Sequence, residues 1–218
     1  AINKRTLKRV RFYAGLVAFL FFTLFPFFVM LMTSFKSPKE AISLHPTLLP
    51  QHWTLEHYLD IFNPLIFPFV TYFRNSLVVA VSASVVAVFI GILGAYALSR
   101  LRFKGRTTIN ASFYTVYMFS GILLVVPLFK IITALGIYDT ELALIVTMVT
   151  QTLPTAVFML KSYFDTIPDE IEEAAMVDGL NRLQIIFYIT VPLAISGLVS
   201  VFVYCFMVAW NDYLFASI

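Results

Sequence analysis

A polar stretch near the end of the chain, residues 168–180, reads PDEIEEAAMVDGL. With Asp165 just upstream, it holds six of the twelve acidic residues in the protein. The rest of the 218-residue chain is apolar by comparison, since 60% of all residues are hydrophobic and only 12% are charged. A soluble domain carries roughly 25% charged residues. The composition therefore predicts an all-α polytopic membrane protein that holds this polar stretch outside the bilayer.

Local signals predict two helices joined by a glycine elbow. Thr166 can cap the first helix, and Pro168 suits a first helical turn. Gly179 can adopt the left-handed conformation that ends a helix. Asn181 can then cap a second helix, which the pattern extends from Arg182 to about Thr190.

Long apolar runs on both sides of this stretch predict membrane spans. We place five of them at about residues 12–33, 75–98, 109–132, 142–160 and 189–215. The polar stretch then belongs to a loop at about residues 161–188.

Lys and Arg are distributed asymmetrically between the predicted loops. With the N-terminus in the cytoplasm, the inside segments 1–11, 98–108 and 161–190 carry 11 of the 15 basic residues. Because cytoplasmic loops are enriched in Lys and Arg, we expect this orientation, which places the polar stretch in the cytoplasm.

The first predicted helix has a surface suited to a partner. Alanines leave it smooth enough for another backbone to approach, and larger side chains recur at helical spacing. The residues in question are Glu173, Ala174, Ala175, Met176, Val177 and Leu180. Docking of a partner protein and an ordinary amphipathic connector at the membrane surface both fit this pattern.

Polar residues inside the predicted spans are candidates for a solute path. Gln151 is the strongest of these, with Thr150 beside it; hydrogen bonding between spans is the alternative role. In the last span Tyr204, Asn211 and Asp212 combine an aromatic ring with amide and carboxylate groups, although an interfacial aromatic belt explains the neighbouring Trp210 equally well.

Weaker candidates for the path are Tyr114, Tyr117 and Ser120 in the third span.

The spacing Glu173-Ala174-Ala175, three residues, Gly179, nine residues, Ile189-x-Val191-Pro192 resembles the EAA signature of ATP-binding-cassette importer permeases. That signature ends in Ile-x-Leu-Pro, so Val191 is a conservative departure. The stretch from Ala95 to Arg106 and the run Trp210-Asn211-Asp212 resemble the carbohydrate branch of the family, the maltose-type (MalG-like) inner-membrane permeases. The resemblance covers nearly the whole chain.

The resemblance implies a type I importer transmembrane domain with six spans, so we expect one further span beyond Ile218. It implies that Glu173, Ala174, Ala175, Asp178 and Gly179 form a coupling element in a cleft of a cytoplasmic ATPase dimer, with Glu173 paired to a basic residue of that ATPase. It also implies a second permease subunit, an external sugar-binding protein and a bacterial inner-membrane location.

The chain itself has no phosphate-binding Gly-x-x-x-x-Gly-Lys-Ser/Thr loop and no metal-binding spacing. We therefore expect no cofactor or catalytic residue in this chain, with ATP and Mg²⁺ bound by the partner ATPase. A permease for another small solute such as glycerol phosphate, and a facilitator that needs no ATPase, are the alternative functions.

Overall fold

The computed structural model describes residues 4–44, 46–118 and 121–217, and all regular secondary structure in these ranges is helical. This confirms the all-α prediction. The helices are α1 (Lys4–Ser34), α2 (Pro38–Ala41), α3 (Glu56–Ile61), α4 (Phe69–Arg100), α5 (Arg106–Met118), α6 (Gly121–Ala134), α7 (Glu141–Phe164), α8 (Asp169–Val177), α9 (Arg182–Ile185), α10 (Val191–Leu193) and α11 (Ile195–Trp210), with a π-helical segment at Ile186–Thr190.

The chain forms two compact units, one running to Tyr72 and the other starting at Phe73. In the first unit, the loop after α1 is held by polar contacts around Glu40. Its Oε1 accepts hydrogen bonds from Thr47 Oγ1 and from the Gln51 backbone N–H, both at 2.9 Å. Lys36, which is buried, donates to the Thr47 carbonyl. These contacts order a proline-rich loop that has little helix of its own.

Within the described ranges, three helices are long and apolar enough to cross a membrane: Lys8–Ser34 of α1, and the whole of α4 and α7. The predicted spans 12–33, 75–98 and 142–160 lie inside these helices. The segment Arg182–Leu193 and α11 meet the same criterion together, but they are bent by 84° where they join.

Of the two remaining predicted spans, the structure describes 109–132 only in part, and it divides 189–215. Residues 109–132 fall in α5 and α6, which have 13 and 14 residues, and positions 119–120 between them lie outside the described residues. The range 189–215 begins in the π-helical segment, and its straight part is only α11. Pro192 has no N–H to donate to the carbonyl four residues earlier, and the chain leaves α-helical geometry around it.

The core of the second unit forms where α4 and α7 pack closely, with α11 against α7. Small residues on α4 allow this approach: a Cβ on Gly91 would lie 3.1 Å from Leu160 Cδ1, and one on Gly94 would lie 3.3 Å from Val157 Cγ2. Ala87, Ala95 and the other residues of this face are buried against α7. Close contact through small residues is the usual basis of helix packing in membranes.

Candidate functional site

The polar stretch folds as a helix, a glycine elbow and a second capped helix. α8 ends in a Schellman motif, in which the Leu180 N–H bonds to the Ala175 carbonyl and the Gly179 N–H to the Met176 carbonyl, both at 3.1 Å. Gly179 has φ +88°, the left-handed conformation that the sequence predicted. Asn181 then starts α9 with a complete capping box, in which its side chain and that of Gln184 each accept the other's backbone N–H.

The predicted N-cap of α8 is wrong. Pro168 occupies the N-cap position without a side-chain hydrogen bond, and α8 starts at Asp169. The Thr166 hydroxyl donates instead to the Tyr163 carbonyl at 2.6 Å, so it satisfies the end of α7 rather than the start of α8. Acidic side chains in the first turn of α8 still complement its dipole.

α8 has one face turned into the protein and one turned away from it. Glu172 and Ala175 are buried, and Met176 is half-buried. Glu173, Ala174 and Asp178 are exposed. The predicted surface of α8 is therefore divided, because Ala175 packs inward while its neighbour Ala174 faces out.

The outward face forms a continuous stripe along α8. Glu170, Glu173, Ala174 and Val177 are all exposed, and Val177 keeps 87% of its surface. These positions have the i, i+3, i+4, i+7 spacing by which a helix docks in a groove. We call these four residues the α8 stripe.

Glu172, which no sequence pattern indicated, is 2% exposed and lies at the centre of a polar cluster. Its Oε2 accepts from Tyr96 Oη at 3.0 Å. Its Oε1 accepts from Arg100 Nε at 3.0 Å and from Thr190 Oγ1 at 3.1 Å. A buried carboxylate requires such partners, since removing one of them leaves a charge in a low-dielectric environment. We call Tyr96, Arg100, Glu172 and Thr190 the Glu172 cluster.

Arg100 joins more elements than any other side chain in this cluster. Its Nη2 donates to the carbonyls of Phe164 at 2.9 Å and Ile167 at 2.7 Å, and its Nη1 lies 2.6 Å from Asp169 Oδ1. One guanidinium thus connects the end of α4 to the end of α7, the connector and α8. The sequence placed Arg100 in the predicted basic segment 98–108. Its four-residue spacing from Tyr96 is the one sequence feature consistent with a shared helix face.

Asp165 makes a second connection between α4 and α7. Its carboxylate accepts from Lys161 Nζ and from Ser99 Oγ, both at 2.6 Å. Desolvation by partial burial raises the pKa of Asp165, but the hydrogen bonds from Lys161 and Ser99 outweigh it, and the net pKa is lowered. Asp165 is therefore held in its charged form.

A groove of about 1000 Å³ opens between the end of α4, the loop after it and α8. Side chains of both charges line it: Arg100, Arg102, Arg106, Asp169, Glu172, Glu173 and Arg182. Arg106 has a structural role there, since its guanidinium donates to the carbonyls of Leu98 and Ser99 at the end of α4. The groove adjoins the α8 stripe through Glu173.

Three of the predicted solute-path residues share one cavity. Thr150, Gln151 and Tyr204 line a space of about 180 Å³ between α7 and α11, together with Gly121 and Pro154. Pro154 has no N–H for the carbonyl of Thr150, so that oxygen lacks its intrahelical donor. Gln151 Nε2 is buried and has no hydrogen-bond partner among the described residues. The cavity therefore offers both polar groups and an aromatic ring.

The other two predicted path residues lie elsewhere. Asn211 Nδ2 donates to the Met207 carbonyl at 2.7 Å, and Asp212 Oδ2 accepts from two backbone N–H groups of the following turn at 3.2 Å. Asp212 and Trp210 line a separate cavity, also of about 180 Å³. The side chains of Tyr114 and Tyr117, and the whole of Ser120, lie outside the described residues.

Residues 87–218, which include α7, α8 and the cavity at Gln151, match the family described as binding-protein-dependent transport system inner membrane component. The chain belongs to this family. It is a membrane permease, a transport component rather than a catalytic one, and family membership favours a transporter with partners over a lone facilitator.

Individual members of this permease family are similar over the whole chain. The inner membrane ABC transporter permease protein YcjP of Escherichia coli is 88% identical over all 218 residues, which cover 78% of that protein. The trehalose/maltose transport system permease protein MalG of Thermococcus litoralis is 35% identical over 99% of this chain and 77% of its own length. A chain in the crystal structure of a bacterial ABC transporter that imports the acidic polysaccharide alginate superposes with a TM-score of 0.82 at 25% identity, covering 99% of this chain and 75% of that one.

Proposed function

We propose that this permease is the transmembrane subunit of an ATP-driven sugar importer. Its substrate class rests on the relatives whose names state a solute, trehalose and maltose in one case and alginate in another. Carbohydrates present hydroxyl groups and apolar ring faces, and the cavity at Gln151 and Tyr204 has an amide and an aromatic ring to meet them.

The observation that carries the proposal is the two-sided α8. Glu172 fixes its inner face to the membrane helices, while the α8 stripe has no covering element among the described residues. An ATPase cleft with a cation opposite Glu173 would cover this stripe. Residues 168–180 then act as the coupling element, with Asp178 and Gly179 forming its turn.

The remaining subunits are proposed from membership of the family. We infer that ATP and Mg²⁺ are held by a dimeric cytoplasmic ATPase, and that a second permease subunit completes the path. An external binding protein delivers the sugar. α8 then lies on the cytoplasmic side together with the N-terminus, as the Lys and Arg distribution predicts.

Within the path, we infer that Thr150, Gln151 and Tyr204 contact the solute more directly than Asn211 and Asp212. The first three face one cavity, and the Gln151 amide has a donor to offer. The side chains of Asn211 and Asp212 already bond to their own backbone.

Co-purification tests the proposal. The tagged permease is extracted from native membranes in mild detergent, and accompanying chains are identified by mass spectrometry. We expect an ATPase subunit and a second polytopic chain. Glu173→Lys reverses the charge on the α8 stripe and is expected to lose the ATPase while still inserting. Glu56→Lys makes the same change at an exposed first-turn glutamate of α3 and is the matched control.

Sugar-stimulated ATP hydrolysis by the purified complex, with trehalose and maltose as the first probes, is the next assay. A permease that purifies without an ATPase under conditions preserving known complexes contradicts the proposal. So does a Glu173→Lys variant that retains as much ATPase as the Glu56→Lys control.

A further inference from the structure

Glu172 and Glu173 are neighbours on α8 and face different surroundings. Glu173 is exposed on the α8 stripe, whereas Glu172 is buried in the Glu172 cluster. Successive residues of a helix point about 100° apart, so one short helix can present one carboxylate outward and bury the next. The two residues are chemically identical, which makes them a matched pair for separating two roles.

The Glu172 cluster joins α8 to two different parts of the membrane region. Tyr96 and Arg100 come from the last turns of α4, and Thr190 is the final residue of the π-helical segment. All three donate to one carboxylate at 3.0–3.1 Å. Because the three donors point at one acceptor, α8 cannot shift relative to α4 without breaking several bonds at once.

The contact at Thr190 lies just before the bend that leads into α11. Val191–Leu193 follow directly, and the direction of the chain then changes by 84° into α11. A π-helical segment beside a proline is a common place for a helix to bend. Glu172 therefore holds the segment that leads into this bend, while Arg100 fixes the ends of α4 and α7.

We propose that Glu172 is a positioning residue that makes α8 and the end of α4 move as one rigid body. A displacement of α8 is then carried directly into α4 and into the segment before the bend. The functional meaning of this connection depends on the docking of an ATPase on the α8 stripe, as proposed above. The rigid connection itself is a property of this chain alone.

Distances between spin labels test the connection. Labels are placed at Ile171→Cys on α8 and Thr107→Cys in the first turn of α5, both exposed and outside the α8 stripe. Thr107 reports on the end of α4, because its neighbour Arg106 donates hydrogen bonds to the Leu98 and Ser99 carbonyls there. The native Cys205 is buried, so labelling is directed to the introduced cysteines. Pulsed electron–electron double resonance measures the distance between the two labels in the permease–ATPase complex, without nucleotide and with ADP-vanadate.

In the parent we expect one narrow distance distribution with the same mean in both nucleotide states. Glu172→Gln removes the charge at the centre of the cluster, so we expect the distribution to become at least about twofold wider and to differ between the two states. Glu173→Gln is expected to keep the parental width. Thr190→Val removes one donor but keeps the ion pair between Arg100 and Glu172. We expect its distribution to be wider than in the parent and narrower than in Glu172→Gln, and it replaces Glu172→Gln if that variant fails to fold.

A mean distance in the parent that changes between nucleotide states overturns the rigid-body proposal. The role of Glu172 is overturned if the distance distribution in Glu172→Gln is only as wide as that in Glu173→Gln. The same outcome in Thr190→Val overturns it where that variant replaces Glu172→Gln. If the parent purifies without an ATPase, the proposed function fails, but the widths measured on the permease alone still decide whether Glu172 holds α8 in place.

Discussion

Gly197, where α11 packs on α7, leaves less room for a Cβ than any other described glycine. A Cβ built on this residue would lie 2.4 Å from Cγ, 2.6 Å from Cδ2 and 2.8 Å from Cδ1 of Tyr163. The tyrosine ring therefore covers the glycine. Because ordinary contacts begin at 3.4 Å, Gly197→Ala requires the ring or a helix to move by about 1 Å.

The ring cannot supply this movement easily. Its nearest atom is Cγ, which is bonded directly to the Tyr163 Cβ, so relief requires a new rotamer or a displaced helix. Overpacking of this kind costs about 1–3 kcal/mol, and we expect Gly197→Ala to destabilise the permease by that amount. Gly91→Ala is the matched control, since its nearest neighbour is the flexible end of Leu160 at 3.1 Å and its expected cost is below about 1 kcal/mol.

Unfolding in mixed SDS micelles measures these free energies. Tyr163→Ala removes the covering ring. Gly197→Ala should therefore lower the free energy of unfolding much less in the Tyr163→Ala background, measured with the double variant Tyr163→Ala/Gly197→Ala, than in the parent. A Gly197→Ala variant as stable as the parent refutes the reasoning. An equal cost in both backgrounds shows that Tyr163 is not the neighbour responsible.

Three further outcomes follow from the described contacts. Asn181→Ala removes the side-chain half of the capping box, the bond that Asn181 Oδ1 accepts from the Gln184 N–H, and should cost about 1 kcal/mol, read from the same SDS titration. Asp165 has a lowered pKa in the folded state, so its contribution to stability is present above its unfolded pKa of about 3.9 and is lost as the pH falls through the folded value. The thermal midpoint should accordingly fall less between about pH 6 and pH 3 in Asp165→Asn than in the parent, and an unchanged profile contradicts this. Gln151→Leu removes the amide, whose Nε2 has no partner among the described residues, from its cavity. It should reduce sugar-stimulated ATP hydrolysis while leaving ATPase co-purification intact.

The sequence by itself determined the features that depend on nearby residues. Its apolar runs predicted the membrane helices because a span needs only length and low charge, and α1, α4 and α7 have both. Gly179 and Asn181 determined the elbow after α8, since the Schellman motif and the capping box close within a few residues. The EAA spacing likewise indicated the family that residues 87–218 match.

Only the tertiary structure decided which side chains of α8 are buried. Glu172 and Glu173 have the same chemistry and the same helix, and the EAA spacing that indicated Glu173 does not show that Glu172 is buried. Their difference comes from Tyr96 and Arg100, which are supplied by a helix more than seventy positions earlier. The same is true of Gln151 and Tyr204, which share a cavity because α7 packs against α11. Burial depends on what distant segments bring to a position, and a sequence pattern records only what its neighbours along the chain can do.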